Sequence, residues 1–161
     1  MILKFEISDE PMAKQSIRYG CRYDKNGKVV MYFNKNSKRL EPLIIPYQKK
    51  EILDRQKSII YQIREQLPEG FELWDGPITV HTIHFIFKPL TSFSKKKMAE
   101  IALGKIYPKD TRPDVTDNLQ KMIWDCLEGI VYRNDAQIWH IKEVKKYYGL
   151  NPKTLIIIEG N

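Results

Sequence analysis

The stretch Arg112-Pro113-Asp114-Val115-Thr116-Asp117-Asn118-Leu119-Gln120-Lys121 gathers two carboxylates, an arginine and a lysine where an amphipathic helix begins. Two carboxylates held close repel each other unless a cation sits between them. Oxygen donors of this kind suit Mg²⁺ or Mn²⁺. Each aspartate also has an ordinary explanation, since Asp is favoured at a helix N-cap and in the first turn. Lys121 follows Asp117 by four residues, so the two share a helix face. At about 100° per residue that face points away from the apolar stripe. As an i,i+4 pair they contribute about a few tenths of a kcal/mol. Beside a metal ion, the same lysine would stabilise a phosphoryl transition state. Downstream, Tyr132-Arg133-Asn134-Asp135-Ala136-Gln137-Ile138 puts a third acid, Asp135, in a turn before a strand. Asn-Asp is ordinary turn chemistry. A strand packed on the helix would nevertheless bring Asp135 to Asp114, Asp117 and Lys121, the equipment of metal-dependent phosphodiester hydrolysis.

These residues need elements to position them. Ile2–Ile7 reads as a first strand. Arg18–Tyr23 and Lys28–Phe33 flank Asp24-Lys25-Asn26-Gly27, a hairpin signal. From Tyr47 to Leu67 apolar residues recur at three- and four-residue spacing, which predicts a helix stopped by Pro68 and Gly70. Pro77–Lys88 is apolar on both faces and predicts a central strand. Ser94–Leu103 predicts a short helix with Ser94 as N-cap and Gly104 after its end. Thr116–Ile130 is the clearest helix, with Leu119, Met122, Ile123, Cys126, Leu127 and Ile130 as its apolar stripe. Gln137–Tyr147 and Lys153–Glu159 read as two closing strands. The order predicts one α/β (α+β) domain over residues 1–161, with a mixed sheet and two main helices.

Composition bounds the reading. The chain has 161 residues, a hydrophobic fraction of 42%, a net charge of +7 and a pI near 9.3. That fraction is enough for one real core, no apolar run is long enough for a bilayer span, and the N-terminus does not read as a signal peptide. Cys21 and Cys126 are too few for a disulfide framework, so a reducing, cytoplasmic setting is expected. The positive charge is concentrated: between Lys14 and Lys50 stand ten basic and two acidic residues. A basic hairpin or arm at about 14–40, with Arg18, Arg22, Lys35 and Lys38 as contacts, is expected to grip nucleic acid. Tyr19, Tyr23, Tyr32, Phe33 and Tyr47 lie among these charges, and aromatic rings stack on bases. A merely solvated surface is the plainer alternative.

Other groupings say less. His81 and His84 are three apart on a predicted strand, point to opposite faces and cannot share an ion. Lys95-Lys96-Lys97 is a solvated helix start or a phosphate clamp. Trp124 falls on the polar side of its helix, and Trp139 lies on a closing strand. Pro113-Asp114 with Glu143-Val144-Lys145 fits the loose P-D…E-x-K pattern of restriction-like nucleases. That family usually places the two parts on adjacent strands, and here a strong helix intervenes.

The residues from Arg112 to Ile138 resemble the RusA family of Holliday-junction resolvases. Its pattern runs K/R-P-D-x-D-N-L-x-K, then D-A-L, G, V and D-D-x-Q-I. Here it appears as Arg112-Pro113-Asp114, Asp117-Asn118-Leu119-Gln120-Lys121, Asp125-Cys126-Leu127, Gly129, Val131 and Asn134-Asp135-Ala136-Gln137-Ile138. Ser94-Lys95-Lys96-Lys97 and Lys145-Lys146-Tyr147 are similar to segments of longer members. The resemblance implies a RusA-like fold and Mg²⁺-dependent cleavage of Holliday junctions or other branched DNA, with Mn²⁺ as a substitute. It implies a homodimer, metal-binding roles for Asp114, Asp117 and Asp135, and a catalytic or DNA-contacting role for Lys121. Arg112 joins Lys95, Lys96 and Lys97 as a candidate DNA contact. A bacterial or phage-encoded, cytoplasmic protein of recombination and repair fits that family. The departures are two residues, Val115 and Thr116, where the family usually has one between its aspartates, and Asn134 in place of an acid. A catalytically silent DNA-binding protein is the alternative from another class.

Overall fold

The chain opens on strict alternation: in Ile2–Ile7 (β1) Leu3, Phe5 and Ile7 are buried and their neighbours exposed. That is the pattern of a strand with one face on a core. The computed structural model describes residues 1–14 and 18–161 and divides into two compact units. The first comprises Met1–Lys14 and Asp54–Asn161; the second is described from Arg18 to Leu53.

The second unit is built of short two-stranded ribbons. Arg18–Cys21 (β2) pairs with Ile44–Tyr47 (β5), and Met31–Asn34 (β3) pairs with Arg39–Pro42 (β4). Tyr23 pairs with Val29 across the Asp24–Gly27 turn. Asp24 Oδ1 accepts from the Asn26 and Lys28 amides, and Gly27 takes the positive φ of 75° that favours glycine. The expected hairpin is therefore present only at its tip. Arg18–Cys21 and Met31–Phe33 do not pair with each other. The reason is a three-way exchange of backbone bonds: Arg22 N–H donates to Leu43 O, Val30 N–H to Arg22 O, and Leu43 N–H to Val30 O, each at 2.8 Å. Beyond it each strand takes a new partner. Between residues 18 and 51 no described residue is buried.

Lys50–Glu65 (α1) starts three residues later than its apolar periodicity suggests, because Tyr47 and Pro46 are held in β5 opposite Arg18 and Tyr19. In the first unit, Ile78–Phe87 (β6) is the central strand the sequence predicts. Lys95–Ala102 (α2) begins at Ser94, whose Oγ accepts from Lys97 N–H at 3.2 Å, and Gly104 follows it with a φ of 88°. Tyr107–Pro108 (β7) precedes a one-turn π-helix, Val115–Gln120, which continues into Lys121–Leu127 (α3). A short 3₁₀ turn, Asp135–Gln137, leads into Ile138–Ile141 (β8); Val144–Tyr148 (β9) and Lys153–Glu159 (β10) close the chain.

β10 runs antiparallel between β1 and β6, while β8 and β9 run parallel to β6 on its other edge, and β7 pairs with β9. The single strand expected over Gln137–Tyr147 is thus interrupted. Lys142 N–H still donates to Val80 O at 2.8 Å and Ile83 N–H to Glu143 O at 2.9 Å, so the interruption stays bonded to β6. Ile7, Ile59, Phe85, Leu119, Met122 and Ile123 line one small internal space, which places β1, α1, β6 and the helix of the candidate site around a common core. α1 also covers the outer edge of β1: Gln66 and Gln62 side chains accept from Glu6 N–H and Ser8 N–H, both at 2.8 Å.

Gly160 leaves room for the buried Trp74 ring. A β-carbon there would lie 2.5 Å from Trp74 Cε3 and 2.8 Å from Ile78 Cδ1. Gly160→Ala is expected to cost about 1–3 kcal/mol by overpacking. A urea titration checks this, and an unchanged midpoint would show that Trp74 has room to move.

Candidate functional site

The site helix does not start as a plain α-helix. Asp114 is its N-cap, extended at φ −71° and ψ 160°, and its carboxylate accepts from Asp117 N–H at 2.9 Å, Asn118 N–H at 3.1 Å and the Asn118 side-chain amide. The first turn is then one residue wider than an α-turn: Leu119 N–H donates five residues back, to Asp114 O, at 3.3 Å. A π-turn of this kind accommodates one additional residue within a helix. It spans Val115 and Thr116, the two residues between the aspartates. Asp114 therefore keeps its capping place, while Leu119, Met122, Ile123, Cys126 and Leu127 keep theirs in the core. Partial desolvation works against the Asp114 charge, but the Asn118 amide and the two backbone donors outweigh it. They hold the carboxyl below its ordinary range.

Asp117 and Lys121 are both exposed, as the helical wheel requires. Asp125, one turn further on, is half-buried and forms an ion pair with Lys14. Lys14 N–H also donates to Asn118 O at 3.0 Å, so the segment after β1 lies along this helix. Burial, followed by the charge of Lys121, lowers the Lys14 pKa. The two ammonium groups thus stand near each other on the same side of the helix. Neither contact is visible in the sequence. A mid-helix aspartate without a near partner is the one signal available for Asp125.

The approach to Asp114 is held from the sheet. The Lys146 ammonium, on β9, donates to Thr111 O at 2.8 Å and Pro113 O at 2.6 Å, and Lys109 N–H donates to Lys146 O at 3.0 Å. Desolvation and the charge of Lys109 lower the Lys146 pKa, opposed by Asp114 and Asp110. Asp135 is held by turn chemistry. Ala136 N–H donates to Asn134 Oδ1, and Gln137 Oε1 accepts from Asn134 N–H and Arg133 N–H, each at 2.9 Å. The other end of the Gln137 amide donates to Trp74 O at 3.0 Å and Gly76 O at 2.8 Å, which pins the turn to the core. Nearby, the buried Tyr132 hydroxyl donates to Trp124 O of α3 at 3.1 Å. Burial raises the Tyr132 pKa, and the charge of Asp135, three residues along the chain, adds to the rise.

Among the described residues, no three His, Cys, Asp or Glu side chains stand together as a ready metal cage. The structure brings Asp114, Asp117 and Lys121 onto one helix start and Asp135 onto an exposed turn tied to the same core. All four are exposed. The donor chemistry, carboxylate oxygen without thiolate, fits a hard divalent cation. Cys126 is buried with its thiol pushed up to about 12, so it is no nucleophile.

The candidate DNA contacts divide. Arg18, Arg22, Lys35, Lys38, Lys95, Lys96 and Arg112 are exposed. Lys97 is engaged, its ammonium 3.5 Å from the centre of the Phe93 ring and 4.6 Å from that of Tyr107. The histidines separate as expected. His81 bonds Glu159 at 2.7 Å and Lys142 at 3.1 Å, and His84 bonds Glu143 at 2.5 Å. Glu143 also pairs with Lys145 at 2.7 Å, the surface ion pair of a strand. Trp139 is 70% exposed, whereas Trp74 is buried.

Two comparisons bear on this site. A model of the family described as endodeoxyribonuclease RusA matches residues 22–159. Over 159 residues the chain is 28% identical to the uncharacterized protein YqaN of Bacillus subtilis (strain 168), an alignment covering 97% of this chain and 94% of that one.

The Lys146 contacts generate a prediction. Lys146→Met is expected to speed amide exchange at Asp117–Leu119 and to slow DNA cleavage several-fold, with DNA affinity little changed. Hydrogen-exchange mass spectrometry and single-turnover cleavage check it, and unaltered exchange would mean that the turn holds itself.

Proposed function

The chain belongs to the RusA family of endodeoxyribonucleases, and on that premise we propose that it cleaves phosphodiesters in Holliday junctions or other branched DNA. The metal is Mg²⁺, with Mn²⁺ as a substitute, and the setting is recombination and repair in a bacterial or phage-encoded, cytoplasmic context. The supporting observation is the set of exposed acids at the start of the site helix in a chain of net charge +7. Capping accounts for Asp114, but Asp117 accepts no hydrogen bond among the described residues, and a bare carboxylate repels a phosphate backbone, so a protein that only bound DNA would gain nothing from it there.

In this reading Asp117 and Asp135 offer carboxylates that accept no hydrogen bond among the described residues. Asp114 offers the lone pairs its capping bonds leave, since a carboxylate has about four acceptor sites. When bound, the metal supplies an activated water and neutralises developing charge. Lys121, one turn from Asp117, meets the scissile phosphate. Asp125 keeps Lys14 paired, so the second ammonium stays beside the helix. Arg112, Lys95 and Lys96 contact flanking phosphates, which fix the register of the DNA.

Asp117→Asn is expected to retain junction binding and lose cleavage, matching the wild type in EDTA. A labelled synthetic four-way junction, with Mg²⁺ and with EDTA, measures both. Cleavage by the variant at the wild-type rate would remove Asp117 from the ligand set.

The working form in this proposal is a homodimer. A four-way junction has two-fold symmetric halves, and paired cuts need two related sites, which one self-complementary interface provides. The exposed indole of Trp139 is the candidate contact. Light scattering at micromolar concentration should report about twice 19.1 kDa, and Trp139→Glu should return the monomer. A wild-type monomer both free and on junction DNA would leave a branch-nicking enzyme.

A further inference from the structure

The hairpin of β3 and β4 has two unlike faces. Met31 stands opposite Pro42 and Phe33 opposite Leu40, while Tyr32 stands opposite Glu41 and Asn34 opposite Arg39. Side chains alternate along a strand, so Met31, Phe33, Leu40 and Pro42 share one face. The other face is satisfied internally. Glu41 accepts from the Asn34 amide at 2.8 Å, Ser37 Oγ at 2.5 Å and Tyr32 Oη at 3.3 Å. The apolar face is bare: Phe33 is 60% and Leu40 66% exposed. Since no described residue between 18 and 51 is buried, these side chains do not belong to a core of their own unit. An isolated hairpin gains little from leaving such a face in water, and a clustered apolar face marks a partner.

Charge selects the partner. From Arg18 to Leu53 there are nine basic and three acidic residues. A second copy of this unit would bring the same net charge and repel it, whereas a polyanion is attracted. The hairpin turn carries Lys35 and Lys38, and Lys38 adopts a φ of 57°, where glycine would cost less. The occupant is therefore polyanionic and yet has flat apolar surfaces, a description met by unstacked bases of DNA. Paired duplex hides those surfaces, while a branch point exposes them. Proteins insert Phe, Leu, Met and Pro side chains at such steps, and stack aromatic rings on unpaired bases.

We propose that the 31–42 hairpin lays its Phe33–Leu40 face against unstacked bases at a DNA branch, while Lys35 and Lys38 hold the flanking phosphates. This rests on branched DNA being the substrate. It gives structure selectivity a physical source, because in intact duplex the apolar face gains its contacts only after base steps have been unstacked.

The test uses the full chain in EDTA, with a four-way junction carrying 2-aminopurine at the branch and a plain duplex of equal length. Phe33→Ala with Leu40→Ala alters only exposed positions, and circular dichroism checks the fold. The double variant is expected to bind the junction about tenfold more weakly and to lose the 2-aminopurine response, an effect of the size found for lost base stacking. Its duplex affinity and the salt dependence of binding should stay as in the wild type, and Phe33→Trp should keep junction binding. Wild-type junction affinity in the double variant, an equal loss on duplex, or a dimer turned monomer by these substitutions would overturn the proposal. A wild-type protein with no preference for the junction would instead overturn the branched-substrate reading, and the hairpin's role with it.

Discussion

A strand apolar on both faces cannot leave its backbone groups unpaired, and β6 carries that constraint for the whole first unit. Ile78, Val80, Ile83, Phe85, Ile86 and Phe87 are all buried, so both edges of the strand must be hydrogen-bonded within the protein. β10 satisfies one edge. The other is satisfied in two pieces by β8 and β9, with Lys142 and Glu143 spanning the gap. Those two pieces carry residues of the candidate site. The turn that feeds β8 presents Asp135, and β9 carries the Lys146 that grips the approach to Asp114. The candidate site thus rests on the pairing needs of one buried strand.

The helix meets a second constraint at its N-terminus. Its apolar residues must face the core, and Asp114 must reach the first free amides. Here a π-turn meets both, with one loosely wound turn beneath Asp117. Such turns recur at functional sites because widening a helix turns side chains outward while the later turns keep their register on the core.

Much of the first unit is legible in the sequence because its residues answer to local rules. β1 alternates, β6 carries apolar residues on both faces, Ser94 and Gly104 bracket α2, and the stripe from Leu119 to Leu127 fixes the face of α3. The ribbons escape such reading because no face of them is buried. With nothing to penalise a change of partner, the pattern of Arg18–Phe33 does not specify which strand it joins. The start of α1 is displaced from its periodicity because pairing with Arg18 keeps Tyr47 extended. The contacts of Lys14 and Lys146 leave no sequence signal, although Lys145-Lys146-Tyr147 resembles a segment of longer family members. A lysine that reaches a carbonyl more than thirty residues away looks like any solvated lysine.

The chain leaves the first unit after Lys14 and rejoins it at Asp54. The ribbons are therefore nested inside a fold whose two covalent parts are already joined without them. β1 is matched residue for residue with β10 from Ile2↔Glu159 to Ile7↔Thr154, and Asp9 reaches Arg55 at 2.8 Å. A protease nick between residues 18 and 50 would give two fragments that stay together as one particle, separating only under denaturant. The same nesting frees the insert to lengthen, shorten or change composition over evolutionary time, since loop length in such a position carries only a slowly growing entropic cost.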